Sequence, residues 1–256
     1  MCLINFQFQE HPKYKLIVAA NRDEAYNRPT APAHFWENQP ETLAGRDLSQ
    51  MGTWLGITKH GRFAALTNFR HPDHMGTGEY SRGEIVANFL ANDTPPFDYL
   101  SSLKLKRKNY TGFNVIAGDP DQLFYYSNVE NKVTEVSNGT HGLSNHFLNT
   151  PWPKVVKGKN RLKKYAMEHE IIDEDVLFEI IADAEYAQDQ ELPETGIGLE
   201  LERKLSPLFI KTPDYGTRSS TVLLIDRNNH VTFIERTYEK GNFKKENEKS
   251  FSFKIA

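Results

Sequence analysis

A cysteine directly behind the start methionine could act as a nucleophile that carries its own base. Cys2 is the single cysteine among 256 residues, and it follows Met1. Cytosolic aminopeptidases remove an initial methionine when the next residue is small, which would leave a thiol and an α-amine together on Cys2. An α-amine titrates near pH 8, roughly, so its neutral fraction can accept the thiol proton directly or through one water. N-terminal threonine enzymes pair a nucleophile and a base in this way.

Two alternatives oppose this interpretation of Cys2. A lone cysteine is often only a small buried hydrophobe. If Met1 is retained, the N-terminal amine does not belong to Cys2 and the chemistry is blocked. If Cys2 is activated, we expect its thiolate to be populated at neutral pH, because the protonated α-amine and a nearby arginine would lower the thiol pKa.

Polar residues follow several apolar segments and could supply the other parts of an acyl-transfer site. Residues 21–24 follow the apolar run 16–20, Asn68 ends another apolar segment, and Asn145 and Arg218 lie beside further ones. Such a site needs a carboxylate that orients the amine and uncharged donors for an oxyanion. An arginine could hold a thiolate or a substrate carboxylate. Taken singly, each of these residues is more often a turn or surface residue.

The elements that would position these residues are mainly strands. Residues 2–8 alternate so that Cys2 shares one face with Ile4, Phe6 and Phe8. The run 16–20 is continuously apolar, as in a strand covered on both faces. Two stacked sheets with helices outside would explain such strands. The remaining predicted strands are 53–58, 63–67, 113–117, 123–127, 221–225, 231–237 and 251–255.

Helices are fewer in the predicted structure. A capping-box pattern at 81–84 precedes apolar residues at helical spacing, and Pro153 could begin a helix that reaches about His169. Asp173 is predicted to cap a third helix. The segments 188–198 and 241–249 are expected to be a surface loop and a charged connector.

Composition excludes several functional classes. The formal net charge of −3 argues against nucleic-acid binding by electrostatics, and one cysteine excludes an internal disulfide framework. The start of the chain lacks a secretory pattern, and no apolar stretch is long enough to span a bilayer. We therefore expect one cytoplasmic domain over residues 1–256, with no cofactor and no metal. The sequence leaves the oligomeric state open.

The ordered motifs resemble the NRDE family, which is named for the tetrad Asn21, Arg22, Asp23 and Glu24 and includes the transport and Golgi organisation proteins. The resemblance spans nearly the whole chain. Besides Cys2 and the tetrad, it rests on the segments 52–56, 65–68, 112–114, 142–145, 150–152 and 215–218.

That family is in turn similar to the N-terminal-nucleophile hydrolases. The resemblance implies an α+β fold, a four-layer αββα sandwich of two mainly antiparallel sheets flanked by helices. It also implies catalytic roles: Cys2 as nucleophile, Asp23 as partner of its amine, Arg22 near the thiolate, Asn68 and Asn145 as oxyanion donors, and Arg218 as a later arginine.

One departure from the related hydrolases concerns Arg22 and Asp23, which are adjacent here and three residues apart there. Adjacent residues of an extended strand point to opposite faces. We therefore expect only one of them to reach the site unless the backbone kinks, and we favour Asp23.

Three aromatic or imidazole residues are candidates for substrate binding: Trp54, His146 and Trp152. The pair His71 and His74 is better explained as an exposed loop than as a metal site, because no third ligand is evident.

The leading hypothesis is a cysteine-dependent amidohydrolase that cleaves a linear amide or related acyl bond of a small molecule through an acyl-enzyme. The alternative is a binding or trafficking protein of the same fold that handles haem or an acyl-CoA lipid without turnover. The first class requires a free Cys2 amine and the second does not.

Overall fold

The computed structural model describes residues 2–74, 78–239 and 245–256. Its strands are β1 (Cys2–Phe8), β2 (Tyr14–Ala25), β3 (Thr30–Trp36), β4 (Gln39–Asp47), β5 (Leu55–Thr58), β6 (Phe63–Asn68), β7 (Phe113–Gly118), β8 (Leu123–Ser127), β9 (Lys132–Glu135), β10 (Gly139–Leu143), β11 (Tyr215–Asp226), β12 (His230–Tyr238) and β13 (Lys245–Lys254). Its α-helices are α1 (Gly83–Leu90), α2 (Pro96–Lys106), α3 (Pro153–Glu168), α4 (Glu174–Ile181) and α5 (Leu199–Lys204).

The strands form two antiparallel sheets. In the described residues, one sheet has six strands in the order β10-β1-β2-β11-β12-β13, and the other has seven in the order β3-β4-β5-β6-β7-β8-β9. β1 and β2 lie in the middle of the first sheet, so the segment that carries Cys2 is paired on both sides.

Side-chain alternation explains how the layers pack. Ile4, Phe6 and Val18 from the six-stranded sheet meet Ile57 and Ile116 from the seven-stranded sheet in the central core. Because each strand also has an opposite face, a second apolar layer is needed outside each sheet.

Helices supply these outer layers. Ile17 and Ala19 of β2 pack with Leu162 of α3 and Leu177 of α4. On the other sheet, α1 and α2 cover β6, β7 and β8. The result is the αββα sandwich of two antiparallel sheets with helices, as the family resemblance implied.

The structure contains strands and helices that were not predicted, and some predicted bounds are wrong. β3, β4, β9 and β10 were not predicted, and neither were α2 and α5. Residues 245–249 belong to β13 rather than to a connector, while 241–244 lie outside the described residues. The capping box is also absent: Arg82 is the N-cap of α1 and makes no side-chain cap hydrogen bond. By contrast, α3 begins at Pro153, and the Asp173 side chain accepts from the Asp175 amide to cap α4.

Among the described residues, no helix is both long and apolar enough to cross a membrane.

Candidate active site

A cleft of about 810 Å³ opens where the ends of β1, β2 and β11 approach β6 and the start of α1. Six of the nine predicted site residues line it: Cys2, Arg22, Asp23, Trp54, Asn68 and Arg218. The fold brings these residues together from positions that are up to about two hundred residues apart in the chain.

Cys2 begins β1 with its side chain almost fully buried. Its exposed fraction is 7%, and its carbonyl oxygen accepts a hydrogen bond from Ser144 Oγ at 3.1 Å. Burial raises the pKa of the Cys2 thiol to about 11; the Asp23 carboxylate also raises it, and Arg22 lowers it. With Met1 attached, the thiol is therefore mostly protonated at neutral pH, because desolvation outweighs the cations that lower its pKa. The thiolate expected of activated, Met1-free Cys2 stays a prediction.

Arg22 faces the same side of the sheet as Cys2, because the two residues are direct partners across β1 and β2. Its Nη1 donates to Thr30 Oγ1 at 3.1 Å. Asp23 follows on the opposite face, where its Oδ1 accepts from Thr217 Oγ1 at 2.7 Å. Both residues line the cleft, whereas the sequence led us to expect that only one of them, Asp23, would reach the site unless the backbone kinks. Their catalytic roles stay predictions.

The location of the cleft explains this outcome. It lies at the end of the strands, so groups on both faces of β2 can reach it. β11 also shifts register between Thr217 and Ser219, directly opposite Asp23 and Arg22. Such an irregularity re-aims side chains next to a site.

Asp23 is held in place from several directions. Its exposed fraction is 1%, and Tyr215 Oη donates to its backbone carbonyl at 2.8 Å. Burial raises the pKa of the Asp23 carboxyl, and the cation of Lys154 opposes this rise more than any other group. The electrostatic partner of Asp23 is thus a lysine that the sequence motifs did not indicate.

Asn68 and Asn145 are neighbours, but they are placed differently. Asn68 lines the cleft at the end of β6. Asn145 is fully buried behind it, and its Nδ2 donates to the Asn68 carbonyl at 3.0 Å. The Ser144 hydroxyl lies 3.1 Å from both the Oδ1 of Asn145 and the Cys2 carbonyl oxygen. Asn145 therefore bonds β6 directly and approaches β1 through Ser144, and it does not line the cleft.

Arg218 occupies the irregular position of β11. Its Nη1 donates to the carbonyl oxygens of Ala25 and Arg28, each at 3.0 Å. Burial lowers the pKa of the Arg218 guanidinium, and Arg22 lowers it further by like-charge repulsion. The two arginines therefore concentrate positive charge in this part of the cleft.

His146 and Trp152 are not among the residues that line the cleft, and their contact with a substrate stays a prediction. His146 Nδ1 is 2.9 Å from Thr150 Oγ1, and the His146 and Trp152 rings are 5.7 Å apart. The guanidinium carbon of Arg70 lies 4.4 Å from the Trp152 ring centre. Of the three predicted substrate-binding residues, Trp54 alone lines the cleft.

Comparisons with known proteins place the chain in a family. Residues 1–240 match the family model described as "Transport and Golgi organisation 2". The chain belongs to the transport and Golgi organisation 2 family. It is 38% identical to the Mus musculus "Transport and Golgi organization 2 homolog" over 261 residues, covering 93% of each chain. It is also 38% identical to the Homo sapiens homolog over 259 residues, again covering 93% of each chain. The NRDE resemblance is confirmed.

The fold comparison extends to solved structures of low sequence identity. A mutant conjugated bile acid hydrolase from Clostridium perfringens matches with a TM-score of 0.50 and 11% identity, covering 100% of this chain and 92% of that one. At this identity, the likeness shows that the transport and Golgi organisation 2 chain has an N-terminal-nucleophile hydrolase fold.

One cleft residue of this family member escaped the sequence motifs although a signal was present. Glu235 of β12 follows Val231 and Phe233 on the inward face of the strand, so alternation alone places a carboxyl in the cleft wall. Its Oε1 accepts from the Ala33 amide at 2.7 Å. Burial raises the pKa of Glu235 to about 7.

A second cleft residue that the sequence motifs did not identify is Arg82, at the N-terminus of α1. It lines the cleft, its Nη1 donates to the Gly112 carbonyl at 3.3 Å, and burial lowers the pKa of its guanidinium. Because Arg82 precedes the first turn of α1, no periodic pattern of apolar residues indicates which way its side chain points.

In the parts of the chain that the structure describes, no three histidine, cysteine, aspartate or glutamate side chains are grouped to hold a metal ion. The rings of His71 and His74 are 5.8 Å apart in the loop after β6.

Proposed function

We propose that this protein is a cysteine-dependent N-terminal-nucleophile hydrolase that cleaves a linear amide or related acyl bond of a small molecule. One observation carries the proposal: Cys2 opens into the cleft at the end of β1, with Arg22 as its cross-strand partner and Asp23, the next residue of β2, in the wall of the same cleft. A single domain over residues 1–256 carries the site, and removal of Met1 in the cytosol would complete it.

The processed residue would carry out both halves of the reaction. Cys2 Sγ attacks the substrate carbonyl carbon while the thiol proton passes to the α-amine of the same residue. The resulting ammonium gives that proton to the leaving nitrogen, the C–N bond breaks, and a thioester remains. Water then attacks the thioester carbonyl and gives a proton to the amine. The C–S bond breaks, the ammonium returns that proton to the sulfur, and the acid and the free thiol are released.

The pKa of about 11 belongs to the chain with Met1 attached. Once Met1 is removed, the α-amine of Cys2 itself can take the thiol proton during attack. Asp23 would orient the amine, because it lies one residue beyond the cross-strand partner of Cys2. Asn68 would donate to the oxyanion, and Arg22 and Arg218 would stabilise negative charge on sulfur or on the substrate.

A carrier of haem or an acyl-CoA lipid in the same cleft is the second candidate. The observation that favours it is the high pKa of the buried thiol, since a neutral thiol is a poor nucleophile without a base. A carrier needs the cleft but not the amine.

A thiol-reactive probe distinguishes the two functions. Met1-free protein, verified by intact mass, is labelled at neutral pH in the presence of a panel of linear amides, and hydrolysis of each amide is followed. The hydrolase predicts that one class of amide protects Cys2 and is consumed, and that Cys2→Ala binds the amide without consuming it. Equal consumption by Cys2→Ala, or labelling at the rate of a free peptide thiol with no protection, would overturn the proposal.

A further inference from the structure

Lys154 is a buried cation for which the fold alone gives no reason. Its exposed fraction is 2%, and its Nζ has no hydrogen-bond partner among the described residues. Lys154 is the second residue of α3, where the helix dipole disfavours a positive charge. Burying an ammonium without a partner is costly, so this position calls for a nearby negative charge.

Packing places Lys154 on the face of the sheet that carries Asp23. Its neighbours Trp152 and Val155 pack against Leu3 of β1. Leu3 pairs with Asn21 of β2, and Asp23 is two residues beyond Asn21. Because side chains two apart leave a strand on the same face, Asp23 points into the layer that holds Lys154.

The other charges in this layer leave Asp23 as the principal partner. Arg70 Nη2 and Glu202 Oε2 form a buried ion pair at 3.0 Å, and Thr195 donates to the other Glu202 oxygen. Burial lowers the pKa of Lys154 to about 8; Asp23 opposes this most strongly, Arg70 adds to it, and Cys2 and Glu202 oppose it.

We propose that Lys154 is a positioning residue that keeps Asp23 ionised on the buried side of the site, so that Asp23 can hold the α-amine of processed Cys2. The proposal rests on the proposed function and names the residue on which the carboxylate depends. Lys154 itself touches neither substrate nor nucleophile in this account.

The charges that face Asp23 come from several elements. Lys154 of α3 is the principal cation, Tyr215 of β11 lies at its carbonyl, and Glu24 of β2 is a like charge. Cys2 of β1 stands on the cleft side. Removing Lys154 would therefore raise the pKa of Asp23, and the carboxylate would form only at higher pH.

The first test needs no substrate and uses the Met1-retaining chain. Urea midpoints at pH 7 are measured for wild type, Lys154→Met, Asp23→Asn and the double variant. Lys163→Met, an exposed lysine of the same helix, is the matched control. We expect Lys154→Met to lower the midpoint clearly, Asp23→Asn to restore part of the loss, and Lys163→Met to change little. Strict additivity of the two buried substitutions would overturn the proposal.

Failure of Lys154→Met to fold is also informative. If the double variant with Asp23→Asn folds, the defect lies in an uncompensated carboxylate, and the proposal is supported. If the double variant also fails to fold, Lys154 serves core packing and the proposal is wrong.

The second test uses Met1-free protein and p-nitrophenyl acetate, which would acylate Cys2 and release p-nitrophenolate. The acid limb of the acylation rate should move to higher pH in Lys154→Met by about one unit, which is about a tenfold loss of rate on that limb. An unchanged pH profile with a uniformly lower rate would overturn the proposal. If wild type is not acylated at all, the proposed function fails, while the unfolding test still decides whether Lys154 and Asp23 are coupled.

Discussion

Cys2 and Arg22 are direct cross-strand partners, so the thiol and the guanidinium occupy the same face of the six-stranded sheet. Asp23 is adjacent in sequence but leaves β2 on the opposite face. A nucleophile at the end of β1 can therefore interact with charged groups on two sides of the sheet. Arg22 lies on the face of the thiol, and in the proposed mechanism Asp23 holds the α-amine from the other face.

Replacing Arg22 with glutamine should raise the pKa of the Cys2 thiol further, because Arg22 lowers it. We expect alkylation of Cys2 by iodoacetamide at pH 8 to slow several-fold. Thr30→Val is the matched control, since it removes the hydroxyl that accepts from Arg22 Nη1 and keeps the charge. Alkylation that is equally slow in both variants would mean that the position of Arg22, and not its charge, matters.

Substitutions of Asn68 and Asn145 should affect different properties, because only Asn68 lines the cleft. For the proposed hydrolase, Asn68→Ala should lower kcat by about 10²–10³-fold with little loss of stability. Asn145→Ala removes buried hydrogen bonds to Asn68 and Ser144 and should cost about 1–3 kcal/mol of unfolding free energy. Activity assays measure kcat and urea unfolding measures the stability of each variant. A stable Asn145→Ala chain that loses more kcat than Asn68→Ala would mean that Asn145, and not Asn68, is the oxyanion donor.

The stability of the protein should depend on Glu235 between about pH 4.5 and 7. Its pKa rises from 4.5 to about 7 on folding. In that window the folded chain holds a proton that the unfolded chain has lost, so the free energy of unfolding falls as pH rises, by roughly 3 kcal/mol. Glu235→Gln should lack this fall, since the amide oxygen can still accept from Ala33. Parallel stability–pH curves for wild type and Glu235→Gln between pH 5 and 8 would show that Glu235 does not cause the fall in stability.

Much of the fold was predictable because several of its signals are local. β1 shows apolar alternation, the inner part of β2 is a continuous apolar run, Pro153 marks the first turn of α3, and Asp173 marks the cap of α4. β3 was missed because most of its residues are only partly buried, which leaves no clear apolar alternation. In β4 only the central residues 42–45 are buried, so the apolar signal is short. The second part of β13 was predicted as the strand 251–255, but its first part was taken for a connector. The strand lies at the edge of the sheet and its charged side chains face solvent, so the composition of residues 245–249 resembles a connector.

The candidate site was predictable where a motif marks the end of a strand. Cys2, Arg22, Asp23, Asn68 and Arg218 all lie at such ends. Lys154 and Glu235 could not be assigned from motifs, because their importance comes from burial beside groups distant in sequence. His146 does not line the cleft, because nearness in the chain to Asn145 does not fix the direction of a ring in a loop.

The thiol of the Met1-retaining chain should react slowly, because burial raises its pKa from 9.0 to about 11. Two pKa units correspond to about 100-fold less thiolate at neutral pH. Iodoacetamide labelling at pH 7 should therefore be about two orders of magnitude slower in the native chain than in the same chain unfolded in urea, and it should still be rising at pH 10. Native labelling as fast as labelling of the unfolded chain would contradict the burial argument.

The central claim is that Cys2 forms an acyl-enzyme when its own amine is free. The most direct measurement is time-resolved intact mass after mixing with p-nitrophenyl acetate, for Met1-free protein and for a matched chain with one alanine inserted before Cys2. The account predicts a transient gain of one acetyl group on Cys2 in the Met1-free protein, which decays as the thioester hydrolyses, and little acylation of the extended chain. Equal acylation of both chains, or none in the Met1-free protein, would contradict it.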